Sequence, residues 1–151
     1  IFYFIYRINK IYINNILMLL EYVISFILLH ILDYAYILVN KSKIKKYITN
    51  IQLEPVTFKY KYMFITYILI AYVIILFILP KIRDTHIAKD SITYGLSMGI
   101  VIYAVSILHN MAVFNKQNKY LIYSDVMIRS ISLIIVVYIT KKISVFFKHV
   151  I

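Results

Sequence analysis

His30, Asp33, Tyr103, His109, Asn110, Asp125 and Arg129 stand inside otherwise apolar stretches of this chain. Side chains of these types can pair charges, pass protons, or hold an ion or a small polar ligand. Their spacing narrows the choice. Asp125 and Arg129 are four residues apart, so on a helix they share a face and can pair. His30 and Asp33 are three apart and share a face in the same way. A lone charge in hydrocarbon costs about 3 kcal/mol or more, so each of these groups needs a partner. The simplest arrangement places Arg129 between Asp125 and Asp33, with Asn110 and Tyr103 filling the remaining hydrogen bonds.

Three uses of such a cluster compete. It can join helices and set their register; it can line a polar pocket for a small ligand, a lipid headgroup or an ion; or His30, Asp33, His109 and Asp125 can bind a metal. No ligand spacing of the HExxH kind is present, so neither a metal nor any other cofactor is expected. Catalysis is poorly supported. There is no Cys to act as nucleophile, no phosphate-binding glycine loop and no Ser-His-Asp order. Ser106 before His109 reads as an ordinary helix residue, and no catalytic residue is assigned.

The elements that must position the cluster are membrane helices. The chain is 63% apolar and 15% charged, more apolar surface than a soluble domain of 151 residues can bury. Apolar runs long enough to cross a ~30 Å hydrocarbon core predict helices over about 16–39, 62–79, 91–114 and 120–140. Their apolar character on all sides speaks against a barrel, whose strands alternate. The expected fold class is therefore all-α, a polytopic four-transmembrane-helix bundle. Pro55 stops the extension of helix one, and Pro80 ends helix two. With four spans, the connections near 40–61 and 115–119 share one side, here side B. Counted along the helices, Asp33 lies about 9 Å inside that end, Asp125, His109 and Asn110 roughly 6–8 Å, and Arg129 about 12–14 Å.

Both glycines fall in one motif, Gly95-x-x-x-Gly99, where two small residues one turn apart admit another helix closely. Packing inside the bundle and a dimer face both fit. Seventeen Lys and Arg against six Asp and Glu give a net charge of +11, but the bases sit between apolar runs, as in Lys41, Lys43, Lys45 and Lys46. That is the headgroup level, so the expected partners are the lipid bilayer and other membrane subunits or a second copy, and no nucleic acid. Lys and Arg divide evenly between the two sides, which leaves orientation open. Met18 is an in-frame candidate start. Residues 1–17 are expected to be an upstream segment, either an interfacial amphipathic helix or a non-native extension, ahead of the transmembrane domain 18–151. Abundant Ile, Lys, Asn and Tyr is the mark of an AT-rich genome, which points to a viral, organellar or microbial membrane.

From Met18 to Ile143 the chain resembles a family of predicted four-helix membrane proteins, domain of unknown function 2177. The matching residues are Leu32-Asp33-Tyr34-Ala35-Tyr36 late in helix one, Tyr103 followed by Asn110-Met111-Ala112 in helix three, and Asp125 in helix four, with Gly95 and Gly99 before the tyrosine. The chain departs from the family pattern at Ala104, Ile107 and Arg129. The resemblance implies the fold and topology and carries no established activity. The expectation is a multi-pass integral membrane protein, a structural or accessory component; the alternative is a small-molecule, lipid or ion-handling protein with a polar pocket at side B.

Overall fold

The computed structural model describes residues 2–52, 60–113 and 119–150, with side chains over 12–46, 49, 60–105 and 123–150. Every regular element among them is helical. The first is α1 (Phe2–Gln52), followed by α2 (Tyr60–Val73), the short α3 (Ile87–Asp90), α4 (Leu96–Val113) and α5 (Lys119–Val150). Three stretches are long and apolar enough to cross a bilayer, Tyr12–Lys46, Tyr60–Lys81 and Tyr123–Val150. The expected span at 91–114 corresponds to a π turn, Ser91–Gly95, continued by α4, and its side chains are described only as far as Val105.

Both terminal helices are longer than their apolar runs. No Gly or Pro interrupts the chain before Pro55, so α1 continues unbroken through Met18 and past Lys46. Its 51 residues extend about 76 Å, far more than the hydrocarbon core. α5 likewise runs past Thr140, where Lys148 and His149 occupy its last turn and suit the negative end of the helix dipole.

Pro80 does more than end the second rod. Its ring would collide with the carbonyl four residues back and it has no N–H to donate. The helix widens ahead of it into a π turn, Ile74–Ile78, in which the Leu79 N–H bonds to the Ile74 carbonyl. A single 3-10 turn, Leu79–Lys81, follows, and the chain leaves the helix at Ile82 in an extended conformation.

The connection after Pro80 is held by its two aspartates. Arg83 donates from Nε at 2.9 Å and from Nη2 at 2.8 Å to the two oxygens of Asp90, and from its backbone N at 3.0 Å. These bonds hold the Asp90 carboxyl well below the usual carboxylate range. Asp84 instead reaches α5, pairing with Lys141 at 2.8 Å and Lys148 at 3.3 Å, and the Lys141 bond lowers its pKa. Ile82 and Ile87 are buried beneath this turn.

α5 packs against α1 and against α4 with the π turn before it, while α2 lies on α1. Ile74, Ile78, Leu133, Val136 and Val137 are fully buried between these rods. Large apolar side chains such as Leu69, Phe77, Val101 and Ile131 face outward, as lipid contact requires. Gly95 and Gly99 both meet α5. A Cβ on Gly95 would lie 3.0 Å from the Ile134 Cα, and one on Gly99 would lie 2.8 Å from the Ser130 Cα. The motif is thus used inside the bundle.

Backbone atoms cannot be rotated away as a side chain can, so Gly99→Ala should destabilise the detergent-solubilised bundle by about 1–3 kcal/mol. Gly95→Ala should cost less. Thermal unfolding followed by circular dichroism measures both, and an equal or reversed order would contradict this packing.

Candidate functional site

α1 carries Glu21, Ser25, Leu29 and Asp33 at four-residue steps, and α5 carries Arg129, Leu133, Thr140 and Ser144 along the facing stripe. The pairs that form descend on one helix as they rise on the other, so α1 and α5 run antiparallel. Ser144 donates to Glu21 at 2.5 Å. Ser25 and Thr140, both with no exposed surface, share a hydrogen bond of 3.1 Å. The middle of the seam is dry, filled by Leu29, Leu133, Val136 and Val137.

At the far end stands the ion-pair cluster. Arg129 Nη1 lies 3.1 Å from Asp33 Oδ1, and Arg129 Nε lies 3.0 Å from Asp125 Oδ1. The Asp33 side chain is 12% exposed and those of Asp125 and Arg129 are 28% exposed. α2 contributes Tyr67, whose hydroxyl donates to Asp33 Oδ2. Tyr36, one turn beyond Asp33, stands beside Asp125. The guanidinium carbon lies 5.6 Å from the Tyr36 ring centre and 5.7 Å from that of Tyr103 on α4, within cation–π range.

Of the residues singled out by sequence, the structure brings Asp33, Asp125, Arg129 and Tyr103 to one point. Tyr103 offers its ring to the cation there. His30 stands aside. Its Nδ1–H donates to the Phe26 carbonyl at 3.0 Å, and its ring packs on Phe26 and Tyr67. The side chains of His109 and Asn110 lie outside the described residues. Among the described residues no cluster of three metal-ligating side chains occurs.

Tyr36 and Tyr67 were not expected at this site. In a chain with sixteen Tyr, a tyrosine in an apolar run reads first as an interfacial side chain. Tyr36 did carry a signal, being one turn from Asp33. Glu21 also belongs to the seam, and the four-residue spacing of Glu21, Ser25, Leu29 and Asp33 is the pattern that marks it.

Within the described residues the cluster places two carboxylates on one guanidinium. The Tyr67 hydroxyl, donating to Asp33, takes up part of the excess negative charge. The result is a junction of ion pairs, a phenol hydrogen bond and ring contacts drawing on α1, α2, α4 and α5. A groove opens nearby between α1 and α2, with His30 and Tyr67 in its wall; Asp33, Asp125 and Arg129 do not line it.

Because there are two acids for one base, the substitutions are unequal. Arg129→Met strands both carboxylates and should cost about 3–5 kcal/mol. Asp33→Asn leaves the Asp125–Arg129 pair and should cost about 2 kcal/mol. Thermal unfolding in detergent separates the two; equal losses would mean that Arg129 does not carry the junction.

Comparison with protein-family models, with curated proteins and with solved structures finds no match to this chain.

Proposed function

We propose that this chain is a four-span integral membrane protein serving as a structural or accessory component of its membrane. The observation that carries the structural role is the junction itself. Arg129 sits between Asp33 and Asp125 at 3.1 and 3.0 Å, and tyrosines from three rods surround it, so its charged groups are engaged with one another. The groove on the flank reaches Tyr67 but is not lined by Asp33, Asp125 or Arg129. A lipid bilayer and neighbouring subunits or a second copy are the partners this reading requires, and nucleic acid is not among them. Kinship with the family of domain of unknown function 2177 is part of the proposal, resting on the spacing of Asp33, Tyr103, Asn110 and Asp125.

Geometry supports the fourth span. Asp84, at the exit of the second rod, pairs with Lys141 and Lys148 near the C-terminal end of α5. The N-terminal part of α5 lies with Asp33 and Tyr67, at the opposite end of α1 and α2. On the four-span reading the chain returns across the bilayer between Asp84 and Arg129. The π turn Ser91–Gly95 and α4 would make that return, passing Ile134 at Gly95, Ser130 at Gly99 and Arg129 at Tyr103.

The chain contains no Cys, so single cysteines can map this topology without background. Thr85→Cys and His149→Cys should react with a membrane-impermeant maleimide from one face of sealed vesicles, and Lys43→Cys from the other. Labelling of Thr85→Cys and His149→Cys from opposite faces would rule out four spans.

The structural role has its own test. In Asp33→Asn and Asp125→Asn, any loss of function in the cell should track the loss of thermal stability. A variant that keeps its unfolding temperature but loses the cellular phenotype would transfer the cluster to the second reading, a small-molecule, lipid or ion-handling pocket.

A further inference from the structure

The groove between α1 and α2 has a volume of about 800 Å³. Ile37, Leu38, Met63, Phe64 and Ile65 make its sides apolar; His30 and Tyr67 stand at one end, and Lys41 and Lys61 at the other. His30 to Lys41 covers about 16 Å of helix, close to one leaflet of a ~30 Å hydrocarbon core. The two lysines also stand at matching heights. The apolar run of α1 ends at Val39, two residues before Lys41, and that of α2 begins at Tyr62, next to Lys61. Both amines thus fall at headgroup level. Both are exposed, and among the described residues neither is ion-paired.

An apolar groove one leaflet deep, flanked at its outer end by two cations from different helices, is complementary to an anionic amphiphile. A zwitterionic headgroup brings its own ammonium and gains little from two lysines, whereas a net-negative one gains from both. We propose that this groove binds an anionic phospholipid, with an acyl chain between α1 and α2 and the phosphate between Lys41 and Lys61. The assignment rests on the membrane reading above and adds a ligand class to it.

The chain has no Trp, so one introduced indole reports alone. Tyr34→Trp places it in the groove wall, and Tyr72→Trp places it on an outward face of α2 away from the groove. The full chain with either substitution is reconstituted in phosphatidylcholine vesicles. Quenching by brominated phosphatidylglycerol is then compared with quenching by brominated phosphatidylcholine. At Tyr34→Trp, phosphatidylglycerol should associate about fivefold more strongly or better, since each nearby lysine contributes roughly that factor. At Tyr72→Trp the ratio should be about one. Adding Lys41→Gln with Lys61→Gln should bring the Tyr34→Trp ratio to about one; both are exposed side chains whose loss leaves the packed core intact.

Equal quenching by the two lipids at Tyr34→Trp would overturn the anionic site while leaving the membrane reading in place. A preference that survives the paired Gln substitutions would overturn the role of the lysines. No quenching by either lipid at either position would overturn the membrane reading, and the site with it.

Discussion

A guanidinium placed among apolar helices must be neutralised where it stands, and the arrangement of this bundle depends on how Arg129 is neutralised. Asp125 comes from the same helix and would pair with it in any fold that keeps α5 helical. Asp33 is different. It reaches Arg129 only if α1 and α5 lie side by side in one register, and Tyr67 reaches Asp33 only if α2 joins them. Tyr103 then requires α4 to approach as well. Apolar packing alone would not choose this order, because in lipid a leucine gains little by facing another helix instead of an acyl chain. The polar junction supplies the discrimination that the hydrophobic effect supplies in water.

The rest of the α1–α5 seam extends the same constraint. Slipping α1 by one turn would move Asp33 away from Arg129 and Ser25 away from Thr140 together, leaving buried polar groups without partners at two levels. Between those levels the contacts of Leu29 with the valines and leucine of α5 are non-directional and would tolerate the slip. Register is therefore held by the polar ends and bulk by the dry middle. The glycines act on the neighbouring face of α5, where Ile134 and Ser130 lie about a quarter turn from the seam. Without side chains at Gly95 and Gly99, α4 comes near enough for the Tyr103 ring to reach the cation.

Much of this was legible in the sequence for a definite reason. A charged residue in an apolar run is costly, so Asp33, Asp125 and Arg129 declare that they must meet, and helical spacing says which pairs can. Helix number and class follow from the length of the apolar runs. Hydroxyls are harder to read, because Ser, Thr and Tyr can satisfy themselves on their own helix, as Thr66 does on the Tyr62 carbonyl and Ser97 on that of Thr93. Nothing local distinguishes these from Thr140 or Tyr67, which bond across helices. The continuation of α1 and α5 beyond their apolar spans was only partly visible, since hydropathy reports where a helix is in lipid and not where it ends. The groove was invisible, because it belongs to the divergence of two helices and to no stretch of chain.

The two ends of the bundle are consequently held in different ways. At the Arg129 end the partners are inside, nearly dry, and shared among four rods. At the Asp84 end the pairs are more unequal, and an exposed contact such as Lys148–Asp84 contributes little individually. What makes that end firm is local geometry. Pro80 forces the chain out of the helix, Ile82 and Ile87 are buried beneath the turn, and the two bonds from the Arg83 guanidinium hold Asp90 at the start of the third rod. A carboxyl held below its ordinary range stabilises the fold above that range and loses the effect only as pH falls through the lowered value, so Asp90 remains charged and bonded at neutral and mildly acidic pH. The turn can then fix where α4 starts without help from the membrane. That leaves the junction at Arg129 to decide where α4 leads.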